Sequence, residues 1–133
     1  MPIPKRAPLS GDKLTDWIFW QFILLLKNKK LRIKKKKSVI KFIGRRKKSV
    51  RGISNTTAGP DSRGIEIIIS SAKSVHANKN QELETLIHEL AHILFPKTRE
   101  KFIRQIEDVL VAKFTRNQKS LLKSFLLRHE RKI

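Results

Sequence analysis

The fold class this sequence predicts is α+β: an N-terminal helix, a small three- to four-stranded and mostly antiparallel sheet, then three helices. Three observations predict it. Trp17 to Leu26 is apolar on nearly all sides, short aliphatic runs recur between Leu31 and Ile69, and helix-period patterning fills the chain after Asn80.

Residues 1–11 hold three of the five prolines and read as an extended tail, leaving 12–133 as a single domain. Asp12 or Thr15 can cap a first helix that runs to about Lys27. Leu31-Arg32-Ile33 and Val39 to Ile43 read as strands parted by Lys34 to Lys37. Val50 to Ser54 is a further candidate, and Ile65-Glu66-Ile67-Ile68-Ile69, behind the turn cluster Ala58 to Gly64, is the strongest strand in the chain. Asn80 caps a helix from Gln81 to Phe95, which Pro96 ends. Thr98 then caps a helix to about Thr115, and Asn117 caps a last one to about Arg131.

The totals exclude several chemistries. No cysteine is present, so disulfides, thiolate metal ligands and thiol nucleophiles are all ruled out, and a metal would have to be held by His, Asp or Glu. The apolar run at Trp17 to Leu26 is about half what a spanning helix needs. Asp12 and Asp16 before it, and the absence of a small-residue cleavage site after it, argue against a secretory signal. A cytoplasmic or nucleic-acid-associated protein, not a secreted one, is the expectation.

The chemistry concentrates in Ile87-His88-Glu89-Leu90-Ala91-His92. Residues four apart on a helix lie one turn above each other on one face. Two imidazoles so placed can grip one zinc ion, while Glu89, on the same turn, is close enough to serve as general base toward water. By chance this pattern arises in fewer than about one in a hundred shuffles of this composition. Two histidines making ordinary polar contacts at a core edge, or forming a charged surface stripe, are the plainer alternatives.

On these residues the chain resembles the HExxH zincin metallopeptidase superfamily, over roughly Val50 to Phe114. It is similar to compact gluzincin-like members, to small phage-encoded and repressor-cleaving zincins, and to DNA-associated SprT-like peptidases. The resemblance implies a zinc peptidase fold, Zn2+ as cofactor and a protein or peptide substrate. It supplies no substrate identity. The longer motif with a third histidine fails, because Phe95 and Thr98 stand at its glycine and histidine positions. Tyrosine, which many zincins use against the developing charge, is absent from the chain.

A third ligand must therefore come from elsewhere. Counted at about 100° per residue, Phe102, Ile103, Ile106, Val109, Leu110 and Phe114 share an apolar arc, which Lys113 interrupts. Glu107 stands at the edge of that arc, where an acid is costly unless paired, and it is the favoured third ligand. The resemblance to gluzincins, with a downstream helical Glu, points the same way. Glu100 shares its direction two turns earlier, although an acid in a first helical turn is already explained by the helix dipole. His129 is a weaker candidate, and a salt bridge is the plain alternative for Glu107. His76, in a connecting loop, is a remote candidate for oxyanion support.

The formal net charge of +20 is extreme for 133 residues. Residues 27–51 contain 14 basic side chains, and no acid occurs between Asp16 and Asp61. Lys34, Lys35, Lys36, Lys37, Arg45, Arg46, Lys47 and Lys48 are the expected contacts to nucleic acid or another polyanion, made nonspecifically through phosphates. Solubilisation is the plainer reading, though it needs neither this density nor this lack of acids. The alternative to a hydrolase is thus a non-enzymatic basic nucleic-acid-binding protein on the same scaffold.

Overall fold

The computed structural model describes residues 9–27, 31–36, 40–43, 46–49, 52–56, 65–70 and 79–130. Four helices form the body: α1 (Lys13–Lys27), α2 (Lys79–Leu94), α3 (Glu100–Lys113) and α4 (Arg116–Glu130). They stand close to where hydropathy and punctuation put them. Three of the caps differ. Asn80 lies inside α2, which begins at Lys79, and does not cap it. Asp12 does cap α1, accepting the Thr15 N–H at 3.1 Å. The residue before α3 is Arg99, with no side-chain cap, in place of Thr98. Thr115, not Asn117, caps α4: its hydroxyl accepts the Gln118 N–H at 3.1 Å, and the Gln118 side-chain carbonyl accepts the Thr115 N–H at 3.0 Å. Those paired bonds are a capping box.

The expected α+β fold on a three- to four-stranded, mostly antiparallel sheet is corrected. Helix makes up 77% of the residues whose side chains are described, and Ile67 to Ile69 is the single contiguous strand among them. The described residues are mostly helical. The backbone strands are β1 (Leu31–Lys36), β2 (Ile40–Ile43), β3 (Arg46–Ser49), β4 (Gly52–Thr56) and β5 (Ile65–Ser70). They do not form one antiparallel array. The order β1-β5-β4 pairs Leu31 with Ile65 in parallel and Gly52 with Ile69 antiparallel, and β2 pairs with β3 in a separate hairpin.

The physical reason lies in the lysines. Lys34 to Lys36 extend β1 and do not end it, because β1 is an edge strand that needs apolar residues only at Leu31 and Ile33. Arg46 to Lys48 likewise form β3, where hydropathy marks no strand.

The core joins Ile18, Phe19, Phe22, Ile23 and Leu26 of α1 to Ile67 and Ile69, to Leu83, Leu86, Ile87, Leu90 and Ala91 of α2, and to Leu122, Phe125 and Leu126 of α4. Phe114 closes it, edge-on to Phe19 at 5.7 Å and to Phe22 at 6.3 Å between ring centres. Phe102 and Val109 are exposed, so the buried arc of α3 is narrower than expected and centres on Ile103 and Leu110. Lys113 turns outward and meets Asp12 at 3.7 Å. No helix among the described residues is long and apolar enough to cross a membrane.

Buried Asp16 ties α1 to α4. Its Oδ1 accepts hydrogen bonds from the Ser10 N–H (2.8 Å), the Ser10 hydroxyl (2.7 Å) and Gln118 Nε2 (2.9 Å). Its Oδ2 accepts the Gly11 N–H at 3.1 Å, in a turn where Gly11 takes a φ of 93°, a conformation that favours glycine. Burial pushes the Asp16 carboxyl up, but the bonds from Ser10, Gln118 and Gly11 together hold it below its ordinary 3.8. A depressed folded pKa stabilises the fold above the unfolded value, and that contribution is lost as pH falls through the folded one. Asp16→Asn is expected to cost about 1.5–3 kcal/mol in denaturant unfolding at neutral pH. The difference from the parent should shrink as pH falls from 3.8 through the folded value, where Asp16 becomes protonated in both states of the parent.

Candidate metal centre

Helix α2 is held in one rotation by its apolar side. Leu83, Leu86, Ile87, Leu90 and Ala91 are all buried, which fixes the direction of the opposite face and of His88 and His92 upon it. Pro96 stops α2, a tight turn follows in which the Thr98 N–H meets the Phe95 carbonyl at 3.1 Å, and α3 returns along α2. Ile103 and Leu110 anchor α3 in the core. Glu100 and Glu107, seven residues apart, lean together from the margin of that buried arc toward the two histidines.

Four side chains converge. His88 Nδ1 donates to Glu107 Oε1 at 2.6 Å. His88 Nε2 lies 2.8 Å from Glu100 Oε1, and His92 Nε2 lies 2.6 Å from Glu100 Oε2. The two Nε2 atoms are 3.2 Å apart. Side-chain exposure rises outward, 17% for His88, 27% for His92 and 50% for Glu100, so the cluster opens to solvent. Arg104 flanks Glu100 at 3.5 Å.

The proton inventory of this arrangement is informative. With Nδ1 of His88 donating to Glu107, its Nε2 presents either a lone pair or a second proton. A lone pair there would face the Glu100 carboxylate oxygen at 2.8 Å, acceptor against acceptor. A proton or a metal between them removes that repulsion.

Without a metal, the proton serves. Burial pulls the His88 pKa down as the largest single influence, but the Glu107 hydrogen bond and the charges of Glu100, Glu89 and Glu107 together raise it above 6.5. Burial likewise pushes Glu100 up, while His88, His92 and Arg104 hold it below 4.5. A raised histidine stabilises fully below 6.5 and fades as pH rises through its folded value; a depressed carboxylate stabilises above 4.5 and fades as pH falls. The metal-free cluster therefore contributes most between pH 4.5 and 6.5.

The donor set also suits a divalent ion. One ligand atom each from His88, His92 and Glu100 lies within 4.8 Å of the others. A tetrahedral zinc sets its ligand atoms roughly 3.3 Å apart, so outward shifts of less than about 1 Å would admit it. Two nitrogens and one carboxylate oxygen, with a side open to solvent, are the ligand types zinc takes where it activates water.

Both acids weighed as third ligand reach the histidines. Glu107 touches the far nitrogen of His88, and Glu100 is the acid beside both Nε2 atoms. About a turn centred near Lys97, Glu107 is nearly level with His88 and Glu100 lies within about 3 Å of the level of His92. Glu89 is 5% exposed, and its charge reaches His88. Lys34 to Lys36 lie on β1 and Arg46 to Lys48 on β3, whereas Lys37, Arg45 and His76 are outside the described residues, as is the side chain of His129.

No family model matches the chain, and no curated protein or solved structure is significantly similar to it.

Metal content should separate the two acids. The parent is expected to hold about one zinc per chain, and His88→Ala and Glu100→Ala to lose it. Glu107→Gln should keep the stoichiometry with affinity about 10–100-fold weaker in chelator competition. Retention in Glu100→Ala with loss in Glu107→Gln would reverse the assignment.

Proposed function

We propose that the protein is a zinc-dependent, metallopeptidase-like hydrolase of the zincin kind. The observation that carries this reading is the convergence of His88 Nε2 and His92 Nε2 on the Glu100 carboxylate, with Glu89 on the intervening turn. When bound, zinc supplies a Lewis acid and brings a water's pKa toward neutrality. His88, His92 and Glu100 would hold it.

Glu107 acts on His88. Its bond to Nδ1 fixes the ring's tautomer and orientation, leaving the Nε2 lone pair directed at the site. Glu89 is the general base: its carboxylate takes a proton from the attacking water and returns it to the departing amine nitrogen. Its burial keeps that charge in a medium of low dielectric, where it acts strongly on neighbours. Because the chain has no tyrosine, no phenol shares the charge developing on the scissile carbonyl. Slow turnover on peptide substrates follows from that.

The net charge of +20 favours a second reading, a non-enzymatic nucleic-acid-binding protein on this scaffold, although nucleic-acid binding is itself compatible with hydrolysis. A hydrolase held on nucleic acid would meet proteins bound there. Lys34 to Lys37 and Arg45 to Lys48 would supply the phosphate contacts.

Two measurements divide the readings. Glu89→Gln should retain zinc while hydrolysis of an unfolded protein such as casein falls about 10²–10⁴-fold; equal rates would end the enzymatic reading. Affinity for duplex DNA should drop by about 10³-fold or more between roughly 50 and 200 mM salt. Glutamine at Lys34 to Lys37 should flatten that slope.

A further inference from the structure

The inner side of α1 is core: Ile18, Phe19, Phe22, Ile23 and Leu26 are buried. A helix packed on one side ordinarily turns charged residues outward. Between Asp16 and Lys27, α1 has no charged residue. At about 100° per residue its outward stripe runs Leu14, Trp17, Gln21, Leu24. Leu14 is 65% exposed and Trp17 41%, while Gln21 and Leu24 are half-buried. Leu9 is exposed just before the helix, and Lys13 and Lys27 are exposed at its two ends.

We propose that this face of α1 lies on an anionic bilayer, parallel to its plane. Three features select that occupant. The stripe is apolar with an indole at its centre, and tryptophan partitions to the level of lipid headgroups. Lysines bracket it, and the chain runs directly into the 14 basic residues of 27–51, each able to gain from an acidic lipid surface. At 15 residues, α1 is too short to span, so it rests in the interface.

The same features weigh against other occupants. A second copy would bring another +20 charge against the first. A nucleic acid matches the charge but offers Leu14 and Leu24 no apolar surface. The bilayer satisfies both requirements, and the inference stands independently of any hydrolase activity.

The test is co-sedimentation of the full chain with phosphatidylcholine vesicles containing about a third phosphatidylglycerol, at about 0.15 M salt. Binding is expected with these vesicles and not with phosphatidylcholine alone. The double variant Leu14→Gln, Trp17→Gln should bind about tenfold less, with its thermal unfolding close to the parent's. In a Trp20→Phe background, Trp17 fluorescence should shift to the blue on vesicle addition. That shift also serves as the test should the double variant fail to fold. Binding unaltered by the double substitution would overturn the proposal, as would no vesicle binding or an unmoved Trp17 signal. Loss of self-association or of duplex DNA binding in the double variant, with vesicle binding intact, would overturn it too.

Discussion

The antiparallel return of α3 along α2 is the constraint on which the candidate site depends. It brings Glu100 to His92 and Glu107 to His88, at 2.6 Å in each pair. Neither pair is adjacent in sequence, and neither would form if the turn at Pro96 were a residue or two longer. A displacement of one residue along α3 moves a side chain by 1.5 Å in rise and about 100° in direction. The carboxylates would then miss the imidazoles altogether. The site is therefore specified by a turn that contributes no ligand to it.

That turn is held in place by packing remote from the chemistry. Ile103 and Leu110 fix the rotation of α3, and the buried side of α2 fixes the rotation of the histidines. Phe114, at the end of α3, is gripped edge-on by Phe19 and Phe22 of α1. Asp16 and Gln118 then clamp α1 to the start of α4. The two helix faces are positioned by a core of aliphatic and aromatic residues, against which a cluster of like-charged carboxylates can be assembled at tolerable cost.

Much of this was legible in the sequence, and the failures have distinct physical causes. Helix positions followed from hydropathy period and from Pro96. The His88, Glu89, His92 spacing was sufficient to place both imidazoles on one face. It leaves Glu100 and Glu107 as alternatives, because helical direction alone treats residues seven apart as equivalent. Sheet topology failed for a different reason. Lysines at an edge strand look like a loop to a hydropathy pattern, so the pattern ends β1 at Ile33 and marks no strand at β3. Parallel pairing of β1 with β5, across more than thirty residues of chain, has no local signature at all. The predominance of helix over sheet was missed with it.

The uneven charge invites the question of how an acidic cluster works within so basic a chain. Three carboxylates, Glu89, Glu100 and Glu107, act on His88, while 31 lysines and arginines dominate the net charge. At physiological ionic strength the field of an exposed charge decays over about 8 Å, and charges inside the partly buried cluster are screened far less. His88 accordingly responds to its own neighbours: its pKa is raised despite burial and despite the net positive charge of the chain. The same screening lets the basic residues act collectively at the surface, toward a polyanion, without setting protonation at the site. The proposed metal site and the proposed polyanion contacts are electrostatically compatible, because one is local and desolvated and the other is diffuse and solvated.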